Sequence, residues 1–137
     1  MRIVLDTNVL VAGLLSPFGP PGGVLQLLLA GKIRPCYDAR VLWEYRQILA
    51  RPKFGFDPER VEDLLSLLES MGMLVATTPW RLGLPDPSDA PFLEVAQAGS
   101  ADYLITGNLR HFPKSKRRGM AVVSPAELLA EPGVKAL

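Results

Sequence analysis

Residues 3–5 read Ile-Val-Leu, three apolar side chains in a row, and they run straight into Asp6. Side chains on a strand point alternately to its two faces, so a strand that is apolar at every position is buried on both. The segments "DYLIT" (102–106) and "MAVVS" (120–124) have the same character. A sheet covered on both faces is a parallel sheet whose strands are joined by helices. This restricts the chain to the α/β class and raises a second question: why an acid ends its most hydrophobic opening stretch.

The segments between the apolar runs carry helix signals. Thr7 or Asn8 can cap a helix through about Leu15, and "SPFGPPGG" (16–23) reads as a loop. Val24 to Ala30 reads as a helix stopped by Gly31. "IRPCYD" (33–38) is a weak strand, with Pro35 arguing for an edge position. Asp38 caps a helix in which Val41, Leu42, Tyr45, Ile48 and Leu49 share one face. Asp57, Pro58 and Gly72 bracket the next helix, and "MLVATT" (73–78) is a short strand candidate. "DPSDAPFLEVAQAGSA" (86–101) is a helix if Pro87 and Pro91 lie before it or in its first turn. "GNLRHFPKSKRRG" is a polar, basic loop, and Ser124 with Glu127 forms a capping box for a final helix. The expected architecture is a three-layer α/β/α sandwich around a central parallel sheet, as a single domain over residues 1–137.

Composition narrows the function. With 48% hydrophobic and 21% charged residues the chain is globular, and a net charge of +1 excludes a strongly basic, histone-like binder. Cys36 is the single cysteine and His111 the single histidine, so neither a disulfide nor a Cys/His zinc set can form within the chain. Asp6 and Asn8 interrupt what would be the apolar core of a signal peptide, and no apolar run approaches the ~18 residues that suggest a membrane span. The expectation is a cytoplasmic protein with no membrane partner.

Ligands of open α/β sheets bind outside the carboxyl ends of the strands. Asp6 lies at that end of the first strand, and Asn108 follows the strand ending at Thr106. Asp86 and Asp89 begin the helix that feeds this strand, and Glu44 lies one and a half turns past Asp38. Asp102 opens its strand at the opposite edge and is set aside. Four converging carboxylates repel one another, and a divalent cation removes that penalty. All-oxygen ligation suits Mg²⁺ or Mn²⁺, and such sites suit transfer of a phosphoryl group to water. Taken singly, Asp86 and Asp89 also fit as helix-start acids, Asn108 as a turn residue and Glu44 as a solvated helix residue. Trp43 and Trp80 read as packing residues and His111 as a surface residue.

The stretches "IVLDTNVLVAGLLSPFGPPGGVLQLL", "DARVLWEYRQILARPKF", "LPDPSDAPFLEVAQAGSADYLITGNLRHF" and "VVSPAELLA" together resemble the PIN-domain proteins, in particular the VapC-like branch described as toxins of toxin–antitoxin systems. The resemblance spans residues 2 to about 130. It implies a metal-dependent ribonuclease using Mg²⁺ or Mn²⁺, with Asp6, Glu44, Asp86 and Asp89 as the catalytic acids. Asp6, Asp86, Asp89 and Asn108 would hold the metal. Relatives often carry Asp where this chain has Asn108. Thr7, Asn8 and Thr106 would orient the acids by hydrogen bonds. The resemblance also implies an RNA substrate and a cognate antitoxin as partners, and it admits a homodimer.

"RHFPKSKRR" (110–118) supplies a substrate handle. Arg110, Lys114, Lys116, Arg117 and Arg118 are five of the fifteen basic residues, and they border the proposed cleft. Two other readings compete. A phosphatase with Asp6 as nucleophile wants a second Asp two residues on, where this chain has Asn8. A non-catalytic PIN-like module that binds RNA or a protein would follow if Asn108 weakens the metal site.

Overall fold

A computed structural model describes residues 1–79 and 83–137. Five strands, β1 (Arg2–Leu5), β2 (Arg34–Tyr37), β3 (Met73–Leu74), β4 (Tyr103–Ile105) and β5 (Val122–Val123), form one sheet in the order β3-β2-β1-β4-β5. Every pairing is parallel. Among the described residues the α-helices are α1 (Thr7–Leu15), α2 (Pro20–Leu29), α3 (Ala39–Leu49), α4 (Pro58–Met71), α5 (Ala90–Ala98), α6 (Pro125–Ala130) and α7 (Pro132–Lys135). They complete a three-layer α/β/α arrangement.

The burial explains the strand sequences. Ile3, Val4 and Leu5 on the central strand and Leu104 and Ile105 beside them are completely buried. The chain starts in the middle of the sheet, builds out to β3, then crosses back to β4 and β5. The reversal falls between β1 and β4, and open α/β sheets keep their binding crevice at such a point. Asp6 and Thr106 follow these two strands directly. Asp102 lies at the other edge, where its carboxylate accepts from the Arg2 N–H at 2.9 Å.

Local signals set the helix starts. Asp38 accepts from Val41 N–H and Asp57 from Glu59 N–H, and Ser124 with Glu127 forms the expected capping box. The helix after β1 differs from expectation. Asp6, not Thr7 or Asn8, holds its N-cap position, yet the Asp6 side chain makes no cap bond. That carboxylate is engaged elsewhere.

Three features also depart from the sequence reading. α2 begins at Pro20, inside the expected loop: prolines fit a first turn because its N–H groups have no helical partner. Gly22 allows this, since a Cβ there would lie 2.0 Å from the Pro17 carbonyl oxygen. β2 is an inner strand despite Pro35. Arg34 N–H faces β1, donating to Met1, and Tyr37 C=O faces β3, accepting from Val75. The missing Pro35 N–H therefore faces the β3 side, where β3 begins only opposite Cys36. β3 covers two residues rather than six. The segment before α5 follows the expectation: a 3₁₀ turn at Pro87–Asp89 precedes the helix, and Pro87 and Pro91 both occupy first-turn positions. Trp43 is 63% exposed, not packed, because it lies opposite the buried Val41, Tyr45 and Leu49 on α3. Trp80 lies outside the described residues. No single helix among the described residues is long and apolar enough to cross a membrane; α1 and α2 pass only as a pair bent by 101°.

Candidate active site

β1 delivers Asp6 to the crevice nearly buried, at 5% exposure. Its Oδ2 accepts from the Thr106 hydroxyl at 2.8 Å and from Asn8 Nδ2 at 3.4 Å. The Asn8 side-chain oxygen in turn accepts from Gly107 N–H at 2.9 Å. Thr106 and Asn8 thus join the turn after β1 to the turn after β4. Tyr45 on α3 donates from its hydroxyl to the Leu5 carbonyl at 2.6 Å, pinning that helix beside Asp6.

Glu44 is half-buried one position before Tyr45, and its Oε2 accepts from the Thr7 hydroxyl. A groove of about 360 Å³, lined in part by Asn8, Val11, Ile48 and Phe54, opens beside it. Asp89 is buried at the junction of the 3₁₀ turn and α5. Its Oδ2 is fully enclosed and accepts no hydrogen bond; His111 Nδ1 stands 3.1 Å away. Asp86 is exposed, and its Oδ1 accepts from Ser88 N–H at 2.9 Å and Ser88 Oγ at 2.8 Å.

The acids feel one another. Burial pushes the Asp89 carboxyl up to about 6, with Asp6 adding to the rise and His111 opposing it. Burial also raises Asp6, against the Thr106 hydroxyl. Burial raises Glu44, against the Thr7 hydroxyl, while Asp6 and Asp86 add to the rise. Asp86 goes the other way, lowered by its bonds from Ser88. Asp6, Glu44, Asp86 and Asp89 therefore share one electrostatic field. Among the described residues, however, no three Asp, Glu, His or Cys side chains are disposed to enclose a metal ion as they stand. The feature that fits a cation is the buried Asp89 Oδ2, which accepts no hydrogen bond and has the half-exposed His111 Nδ1 at 3.1 Å as its ion-pair partner.

Asn108 turns its amide oxygen toward Arg110 N–H at 3.2 Å and so caps the next 3₁₀ turn. Arg110, Lys114, Lys116 and Arg118 are exposed. Arg117 is partly buried and spends its Nε on the Phe112 carbonyl at 2.7 Å, so it shapes the loop.

Two groups escaped the sequence reading. His111 meets Asp89 because the 3₁₀ turn after Asn108 folds it back; its position three residues beyond Asn108 was the available signal. The second group joins Arg40, Asp38, Glu94 and Thr77. Arg40 Nη1 donates to Glu94 Oε1 at 2.7 Å, and its Nε and Nη2 donate to Asp38 Oδ2 at 2.9 and 2.7 Å. Thr77 Oγ1 accepts from Arg40 Nη2 and donates to Asp38 Oδ2, each at 3.0 Å.

Residues 2–110 match the family model described as PIN domain. An uncharacterized protein of Methanocaldococcus jannaschii is 27% identical over 111 residues, covering 79% of this chain and 71% of that protein. Two solved structures share the fold. VapBC2 from Rickettsia felis, bound to a DNA fragment from its promoter, aligns with a TM-score of 0.61 at 18% identity, over 90% of this chain and 98% of that one. FitAB bound to the IR36 DNA fragment aligns with a TM-score of 0.63 at 20% identity, over 90% and 94%.

Proposed function

The chain belongs to the PIN-domain family, and from that premise we propose that it is a metal-dependent endoribonuclease, the toxin of a toxin–antitoxin pair. The observation that supports the reading is the electrostatic coupling of Asp89 to Asp6, Asp86 and Glu44, with Asp89 Oδ2 buried and ion-paired with His111 alone among the described residues. Nearby buried carboxylates that raise one another's pKa are costly unless a cation joins them. The donors are all oxygen, which favours Mg²⁺ or Mn²⁺ over softer metals. The DNA-bound VapBC2 and FitAB assemblies, which share the fold, support the expectation of a protein partner.

In this reading Asp6, Asp86 and Asp89 would hold the cation, with Glu44 completing the acidic cluster. When bound, such a cation would supply Lewis acidity toward a phosphate and a hydroxide nucleophile at neutral pH. Thr106 and Asn8 fix the Asp6 carboxylate, and Thr7 fixes Glu44. Arg110, Lys114, Lys116 and Arg118 would take the RNA backbone. The direct test is cleavage of an end-labelled RNA with Mn²⁺, and its loss with a chelator.

The loop yields an expected result of its own. Replacing Arg110, Lys114 and Lys116 with Ala should weaken RNA binding and reduce its dependence on salt, because fewer counterions are released. Filter binding across a salt series measures this, with Mn²⁺ affinity unchanged. Arg117 is left in place because it holds the loop.

Asn108 bears on the second reading, a non-catalytic RNA- or partner-binding module, because its amide oxygen caps a turn. Asn108→Asp keeps that cap, since Asp and Asn serve turns alike. If position 108 faces the cation, the change should tighten Mn²⁺ binding and lower the metal-free melting temperature by like-charge repulsion. Calorimetric titration and melting curves read both, and no change in either assigns Asn108 to the turn alone.

A further inference from the structure

Glu94 is 2% exposed, in the middle of the apolar run Phe92 to Ala96. It receives Arg40 across 54 residues of chain. Arg40 begins the same helix that carries Glu44 one turn later, on the same side. Glu94 belongs to the helix that follows Asp89 directly. The guanidinium therefore spans the two helices that bring Glu44 and Asp89 to the crevice. Its other edge grips Asp38, the cap of α3, whose second oxygen holds Val41 N–H at 3.0 Å. Thr77 brings the segment after β3 into the same junction.

The rest of the α3–α5 contact is less directional. Tyr45 and Phe92 meet with ring centroids 6.2 Å apart in a tilted arrangement. Apolar packing of this kind tolerates small slides. A planar fork bonded on both edges does not, because its hydrogen bonds fix distance and orientation together. Tyr45 already ties α3 to the residue before Asp6. The fork adds the missing tie between α3 and α5.

We infer that Arg40 is a positioning residue: clamped between Asp38 and Glu94, it sets the separation of Glu44 from Asp89. The inference rests on the nuclease reading for its purpose but not for its geometry, and the experiment separates the two. Arg40→Met with Glu94→Leu removes the clamp without leaving that buried carboxylate unpaired, and Arg40→Lys keeps the charge without the fork. Both proteins should fold cooperatively. Both should bind Mn²⁺ about tenfold more weakly, as loss of a ligand's support typically does, and cut RNA with a lower kcat at unchanged KM. Metal-free crystal structures should show the Glu44–Asp89 carboxylate separation altered by about 1 Å or more in the double variant. A folded double variant with the wild-type separation and wild-type Mn²⁺ affinity overturns the inference. If the wild-type protein neither binds Mn²⁺ nor cuts RNA, the nuclease reading falls, and the clamp is then judged by the carboxylate separation alone.

Discussion

Asp6→Asn should abolish RNA cleavage, by about 10³-fold or more, while leaving a folded protein at least as stable as the wild type without metal. The size follows from the several kcal/mol that a correctly held cation contributes to a phosphoryl-transfer barrier, at about 1.4 kcal/mol per tenfold in rate. The stability follows from burial. The wild-type carboxyl is raised by its enclosure, so its ionised form is a burden to the native state. An amide at the same place keeps an oxygen for the Thr106 hydroxyl and carries no charge. Mn²⁺ should raise the melting temperature of the wild type and not that of the variant, because only the former binds it preferentially when folded. Cleavage kinetics and paired melting curves check this. A variant that cuts RNA normally removes Asp6 from the chemistry, and one that unfolds makes Asp6 a structural residue.

The second large effect is a dependence of metal-free stability on pH. Asp89 is raised from 3.8 to about 6 in the folded protein. A raised carboxyl means that the native state holds its proton more tightly than the unfolded state does. Stability from this group is therefore complete below about pH 4 and is lost as pH rises through 6. Two pKa units correspond to about 3 kcal/mol, and partial contact of the site with water reduces this to about 2 kcal/mol. Asp6 and Glu44 are shifted in the same direction and add to the slope. Between pH 4 and 7 the metal-free melting temperature should fall by roughly 5–10 °C on this account. Asp89→Asn should flatten the fall, and saturating Mn²⁺ should do the same for the wild type by occupying the acids. Denaturant melts at several pH values give the slope, and equal slopes in wild type and Asp89→Asn would show that Asp89 ionises freely.

Much of this was legible before any coordinates. Asp6 stood out because a carboxylate ending a fully apolar strand has few structural uses, and Asp38, Asp57 and Ser124 marked helix starts by their own hydrogen-bonding chemistry. What escaped depends on distant neighbours. Pro35 is tolerated on an inner strand because β3 is short. Pro20 starts a helix because Gly22 fits against Pro17. Trp43 is exposed because the apolar side of α3 is already complete without it. Glu94 carried the same signal as Asp6, an acid inside an apolar run, but its meaning required Arg40, which lies far away in the sequence. His111 required the path of a 3₁₀ turn.

The placement of β1 at the centre of the sheet also sets when the crevice can be completed. The hydroxyl that holds Asp6 comes 100 residues after it, and β4 must slot in beside β1 first. At about 5–20 residues per second, a ribosome takes on the order of 5–20 s to cover that stretch. For most of that time the emerging polypeptide lacks Asp89, and throughout it lacks Thr106. A message broken off before residue 89 yields a fragment without the complete set of acids. In the nuclease reading, an unfinished copy would therefore lack the acids and the hydroxyl that the site needs.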